Sequence, residues 1–218
     1  MSMLLTIHAG GAAIGLVAGA AALVFRKGAK WHRSSGRVFL ISMLVMAVSA
    51  MPLAYMANKT MDIFSGMLVC YLVLTSWSTL RQKHMRTEIG LLVLGAITLA
   101  GYLWVEWEAA RTGIGRPDVP TGAGYVFATI IALALIGDGW RILQGEAART
   151  RQIIRHLWRM CFALFLATVS FFLSRAHLFP GGVRESGILY LFALAPILLM
   201  AFWWGRTRLA DQPRTADA

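Results

Sequence analysis

Five histidines and a few carboxylates are the groups in this 218-residue chain best placed to do chemistry. The histidines are His8, His32, His84, His156 and His177. An imidazole can ligate haem iron, zinc or copper, or move a proton near neutral pH. His8 stands inside an apolar run and is followed by Gly11, Gly15 and Gly19. At about 100° per residue, all three glycines fall within about 60° of His8 on a helix. That face has two readings. It is a small-residue stripe for close helix packing, with His8 hydrogen-bonded to a neighbour, or a smooth wall holding a ligand whose polar contact is His8.

A second face starts at His156 and runs through Met160, Ala163, Ala167, Ser170 and Ser174 to His177. It is small, partly polar and ends in a histidine on each side. It serves packing, or it lines a crevice opposite the glycine face in which His8 and His177 meet. His32, His84 and His156 flank helix ends on one side and make a candidate zinc or copper trio. His32 lies in Lys30-Trp31-His32-Arg33 and His156 in Arg155-His156-Leu157-Trp158-Arg159. So much positive charge disfavours a dication and suits an anion such as a haem propionate or a lipid phosphate.

Among the carboxylates, Asp138 sits between Gly137 and Gly139, with Arg141 and Arg159 as candidate ion-pair partners. Glu106 and Glu108 straddle Trp107 at a helix end and are expected to be solvated. Asp62 opens an apolar run, where a carboxylate suits a helix N-terminus. Cys70 and Cys161 fall within apolar runs and read as packing residues, with no CxxC motif. Asn58-Lys59-Thr60 fits a glycosylation sequon, a pattern common by chance.

The elements that must position these groups are membrane helices. The chain is 58% hydrophobic and 14% charged, with a mean hydropathy of +0.63. A soluble domain is usually about 45–50% apolar and about 25% charged. That excludes disorder and an ordinary soluble enzyme. Seven stretches are long and apolar enough to cross about 30 Å of hydrocarbon. They run roughly over 3–25, 38–57, 63–80, 90–107, 125–139, 157–173 and 188–204. They are continuous runs with no period of two, so helices are expected rather than a barrel of alternating strands. The expected fold is an all-α, seven-helix transmembrane bundle over residues 1–205, followed by a polar tail over 206–218.

The basic residues orient it. Arg26, Lys27, Lys30, Arg33 and Arg37 follow the first span. Arg81, Lys83 and Arg86 follow the third. Arg141, Arg149, Arg151, Arg155 and Arg159 follow the fifth, and Arg206, Arg208 and Arg214 follow the seventh. These are 16 of the 21 Lys and Arg residues, against Lys59, Arg111, Arg116, Arg175 and Arg184 on the other side. Positive loops stay inside, which puts the N-terminus outside and the C-terminus inside. It also explains the net charge of +11 without nucleic acid. Met1-Ser2 leads directly into the first span without a basic leader, so that span is expected to be retained.

The run His8-xx-Gly11-xxx-Gly15-xxx-Gly19, with Trp31-His32-Arg33-Ser34-Ser35-Gly36-Arg37-Val38, Asp138-Gly139-Trp140-Arg141 and His156-Leu157-Trp158-Arg159-Met160, resembles the domain of unknown function 2306 family. The resemblance covers most of spans one, two, five and six. It implies a multi-span protein of a bacterial inner membrane whose activity is unassigned, and it marks His8, His32, Asp138, His156 and Arg159.

Three functions compete. Histidines near helix ends, glycine walls, arginines and aromatics suit a b-type haem or quinone redox protein. His8 or His156 would then be an axial ligand, with Arg159 or Arg175 on a propionate. His156 and His177 are 21 residues apart, about 31 Å on one helix, too far to serve a pair of buried haems. The histidine trio suggests a zinc or copper site, catalytic or for delivering metal to another membrane protein, while the glycine face and the basic inner surface would serve a structural or assembly partner. A transporter or sensor is the third, although no inverted repeat is visible.

Overall fold

The computed structural model describes residues 2–81, 85–113, 122–144, 149–173 and 175–210. Among them there are helices and no strands. The helices are α1 (Ser2–Val24), α2 (Lys30–Met56), α3 (Thr60–Thr79), α4 (Met85–Thr112), α5 (Ala123–Gln144), α6 (Arg149–Phe172), a five-residue α7 (Gly181–Glu185) and α8 (Ile188–Ala210). A one-turn 3-10 segment, Ala176–Leu178, lies between α6 and α7. Seven of the helices are long and apolar enough to cross a membrane. Their many exposed large side chains, such as Val17, Ile41 and Leu133, suit a lipid surround.

Most of the helices extend beyond their apolar runs. α2 begins at Lys30, so the stretch Lys30–Arg37, expected as a basic loop, is helical. α4 begins at Met85, α5 reaches Gln144 and α6 begins at Arg149. α8 likewise takes in Arg206 and Arg208, which the sequence places in a tail. Hydropathy marks where a helix must be dry, whereas the hydrogen-bond ladder continues as long as the residues tolerate helix. Arginine and lysine tolerate it well.

α3 is the hub, with Leu68, Tyr71, Leu72 and Val73 fully enclosed. It packs on α2, α4 and α6. α1 lies outside α2, α5 outside α4, and α8 outside α6. Small residues bring these pairs together. A Cβ at Gly11 would stand 3.1 Å from the backbone of Ser42 and Met46, and one at Gly19 only 2.7 Å from Leu164. On α4, Gly95 receives Tyr71 and Leu135, and Gly101 receives the Phe64 ring. The turn between α2 and α3 is tight, with Asn58 at φ 55°, a left-handed position that asparagine tolerates better than most residues.

The bundle has two unlike ends. The end of α1, the start of α2, the ends of α3 and α5, the starts of α4 and α6 and the end of α8 lie together and carry most of the arginines. This is the basic end. At the opposite end, Glu106 is 8% exposed and its Oε1 accepts the Gly124 N–H at 2.7 Å. The expectation of a solvated Glu106 is therefore corrected. The carboxylate takes one of the orphan N–H groups of the α5 N-terminus, where its charge is favourable. Glu108 does pair on the surface, with Arg111 at 2.7 Å. Asp62 lies in the first turn of α3. Cys70 and Cys161 are free and buried.

Candidate functional site

α5 and α6 approach each other without packing closely, and arginines bridge the gap. Asp138 on α5 is 3% exposed. Its Oδ1 accepts from Arg155 Nη2 at 2.7 Å and Nε at 3.0 Å, and from Arg159 Nη2 at 2.5 Å. Its Oδ2 accepts from Arg159 Nη1 at 3.1 Å and from the Tyr71 hydroxyl of α3 at 2.7 Å. Arg159, the largest fully enclosed side chain, also donates to the Ala134 carbonyl at 3.2 Å. Its guanidinium lies over the Tyr71 and Trp158 rings, 5.3 and 5.1 Å from the centroids. Arg155 Nη1 donates to the Thr75 carbonyl at 3.0 Å and to Thr79 Oγ1. One carboxylate thus answers two guanidinium ions from one helix face.

A second buried pair lies one turn further along α5. Arg141 Nη2 binds Glu88 Oε2 of α4, with both side chains 6% exposed. Of the two partners expected for Asp138, Arg159 is correct and Arg141 is not. Asp138 and Arg141 are three residues apart, yet Arg141 leans to α4 and Asp138 to α6. Nε of Arg141 and Nε of Arg159 are buried without a hydrogen-bond partner.

Because arginines hold α5 away from α6, an open crevice of about 210 Å³ forms beside the cluster. Leu133, Ala134 and Gly137 of α5 form one wall. Arg151, Arg155, Trp158 and Arg159 of α6 form the second, and Trp204 and Arg208 of α8 the third. A Cβ on Gly137 would meet nothing within 4 Å. Arg151, Arg155 and Arg159 are spaced four apart, so they share one helical face. The crevice carries four guanidinium ions, and among the described residues Asp138 is the carboxylate that opposes them.

The expected histidine sites are arranged differently. His8 Nδ1 bonds the Met46 carbonyl of α2 at 2.9 Å. Gly11 and Gly15 face Ser42, Met43 and Met46 of α2, and Gly19 faces Phe39 and Leu164. The glycine face of α1 is filled by protein. His32 Nδ1 bonds the Ala22 carbonyl at 3.0 Å. Lys27 Nζ donates to the Ala22 and Leu23 carbonyls at 3.0 and 2.6 Å. Together they cap the α1 C-terminus. Burial lowers the Lys27 ammonium from its ordinary pKa.

His156 Nδ1 bonds Ser76 Oγ of α3 at 2.9 Å. His177 is exposed in the 3-10 turn. α6 ends at Phe172, so the helical periodicity from His156 to His177 breaks before its last member, and the 31 Å separation does not apply. His84 and Ser174 lie outside the described residues. Among the described residues no three His, Cys, Asp or Glu side chains group as metal ligands.

Arg155, Tyr71 and Glu88 were not singled out by sequence reasoning. The four-residue spacing of Arg151, Arg155 and Arg159 was the available signal for the first. Tyr71 lies in an apolar run and gives none.

A larger crevice of about 480 Å³ lies toward the opposite end, between α1 and α2. Its lining is Leu4, Ile7, Leu44, Val45, Val48, Ser49 and Pro52, a surface suited to lipid chains. Among the described residues no histidine lines either crevice. No family model matches the chain, and no curated protein or solved structure matches it. The resemblance to the domain of unknown function 2306 family therefore has no support beyond the short motifs that carry it.

Proposed function

We propose that this chain is a multi-pass membrane protein that binds an anionic headgroup in the α5–α6–α8 crevice, with its basic end facing the cytoplasm. The carrying observation is the excess of guanidinium groups there. Arg151, Arg155, Arg159 and Arg208 line the crevice, and one carboxylate answers two of them. Guanidinium is the side chain best matched to phosphate, through paired N–H donors. Trp158 and Trp204 flank the same space, as tryptophans do at the level of lipid headgroups. The volume suits a phosphate or glycerophosphate group. It falls below the roughly 300–1,000 Å³ usual for cofactor pockets.

The haem and metal expectations are not carried forward, since none of the described histidines lines either crevice. A quinone headgroup is neutral and would leave the arginines unanswered. The orientation reading rests on the loop-by-loop bias of lysine and arginine.

The test is lipid retention by native mass spectrometry after extraction in an uncharged detergent. Wild type should retain phosphatidylglycerol over phosphatidylcholine. Arg151 and Arg208 are exposed and outside the Asp138 ion pairs, so Arg151→Gln/Arg208→Gln should fold and lose the preference. Gly137→Leu, which places a side chain in the open crevice, should lose it too. Equal retention of both lipids by wild type contradicts the reading.

A further inference from the structure

Asp138 holds the guanidinium donors that a bound anion would claim. We propose that anion binding in the α5–α6–α8 crevice is coupled to uptake of one proton by Asp138. The inference rests on the headgroup-binding reading above and deepens it.

The geometry sets up a competition. Arg155 and Arg159 both line the crevice, and both spend their forks on the same carboxylate. A guanidinium has five N–H donors. Arg155 uses Nη1 on α3 and its other two nitrogens on Asp138. Arg159 uses both Nη atoms on Asp138 and one of them also on Ala134, leaving Nε buried and unpartnered. A tetrahedral anion that reaches past Arg151 and Arg208 and takes paired donors from Arg155 or Arg159 must draw them from Asp138.

Once the forks turn to the ligand, Asp138 keeps Tyr71 as its remaining partner, in a position 3% exposed. A buried carboxylate without a cation is costly, and a proton removes the cost. The net change is one anion in and one proton in, with the new O–H on Asp138.

The surroundings single out Asp138 as the acceptor. From α3 it is faced by Tyr71, with the neutral Thr75 and Thr79 holding Arg155. From α6 it is faced by Arg155 and Arg159. On α5, Arg141 is engaged by Glu88 of α4. Arg151 and Arg208 line the crevice beyond. His156, the nearest imidazole along α6, is turned to Ser76.

Sulfate is the right first probe, because it does not titrate near neutral pH. Purified protein in weak buffer at about pH 7, with an indicator dye, should take up close to one proton per sulfate bound. Wild-type sulfate affinity should fall by up to tenfold per pH unit as pH rises. Asp138→Asn should bind sulfate more tightly and take up none. Should that variant fail to fold, the wild-type pH slope decides alone. Phosphatidylglycerol vesicles form a second arm. Uptake with vesicles and not with sulfate assigns the site to a lipid headgroup, and the reverse to a free anion. Binding without proton uptake overturns the coupling and leaves the headgroup reading intact. Uptake that persists in Asp138→Asn also overturns it. Absence of binding by both probes overturns both readings.

Discussion

At the residue scale, Arg159 is the most deeply committed of the arginines. Its guanidinium is 1% exposed and doubly bonded to a carboxylate that is itself buried. Replacing such a pair by apolar groups can be neutral, but removing one member strands the other. Asp138→Asn, which strands both Arg155 and Arg159, should therefore cost about 3–5 kcal/mol, read as a large fall in the thermal midpoint in detergent. Arg159→Gln/Asp138→Asn should recover part of that loss. A double variant no more stable than the single one would contradict the pairing. The Asp138–Arg159 contact was legible because a carboxylate between two glycines in an apolar region needs a cation nearby. Arg155 was not, because every arginine at that end also serves as a topology signal, and spacing alone does not separate a loop charge from a buried one. Glu106 failed for a related reason. Its partner is the α5 N-terminus, reached across residues 113–122, and helix ends carry no charge in the sequence.

At the element scale, the glycine face of α1 is a packing surface. Gly11 faces backbone atoms of α2, which cannot swing aside as a flexible side chain can. Gly11→Val should destabilise by about 1–3 kcal/mol, the usual cost of overpacking. Gly10 is the internal control, since a Cβ there meets nothing within 4 Å. Gly10→Val should leave the thermal midpoint almost unchanged. Equal effects of the two substitutions would show that α1 is not seated on α2 through this face. The helices themselves were readable from hydropathy, and their polar extensions were not. The crevice belongs to this scale too. It exists because α5 packs on α4 and leaves long arginines to reach α6. No local pattern states that spacing, since it depends on which helices are neighbours.

At the scale of the whole molecule, seven apolar helices, with α3 as their hub, leave two unlike ends, and the basic one gathers most of the buried charge. An ionisable group within a span is retained at a cost and is by default a functional candidate. Here the cost is met by internal pairing, with a surplus of positive charge left toward an open crevice. An anionic headgroup in that crevice would show itself in ligand-linked stability. A ligand that binds only the folded protein raises stability by RT ln(1 + [L]/Kd). The thermal midpoint of the protein in nanodiscs should therefore climb with the fraction of phosphatidylglycerol in a phosphatidylcholine background. The climb should be nearly absent in Arg151→Gln/Arg208→Gln. A midpoint independent of the anionic fraction, or one that climbs equally in the variant, would contradict the account.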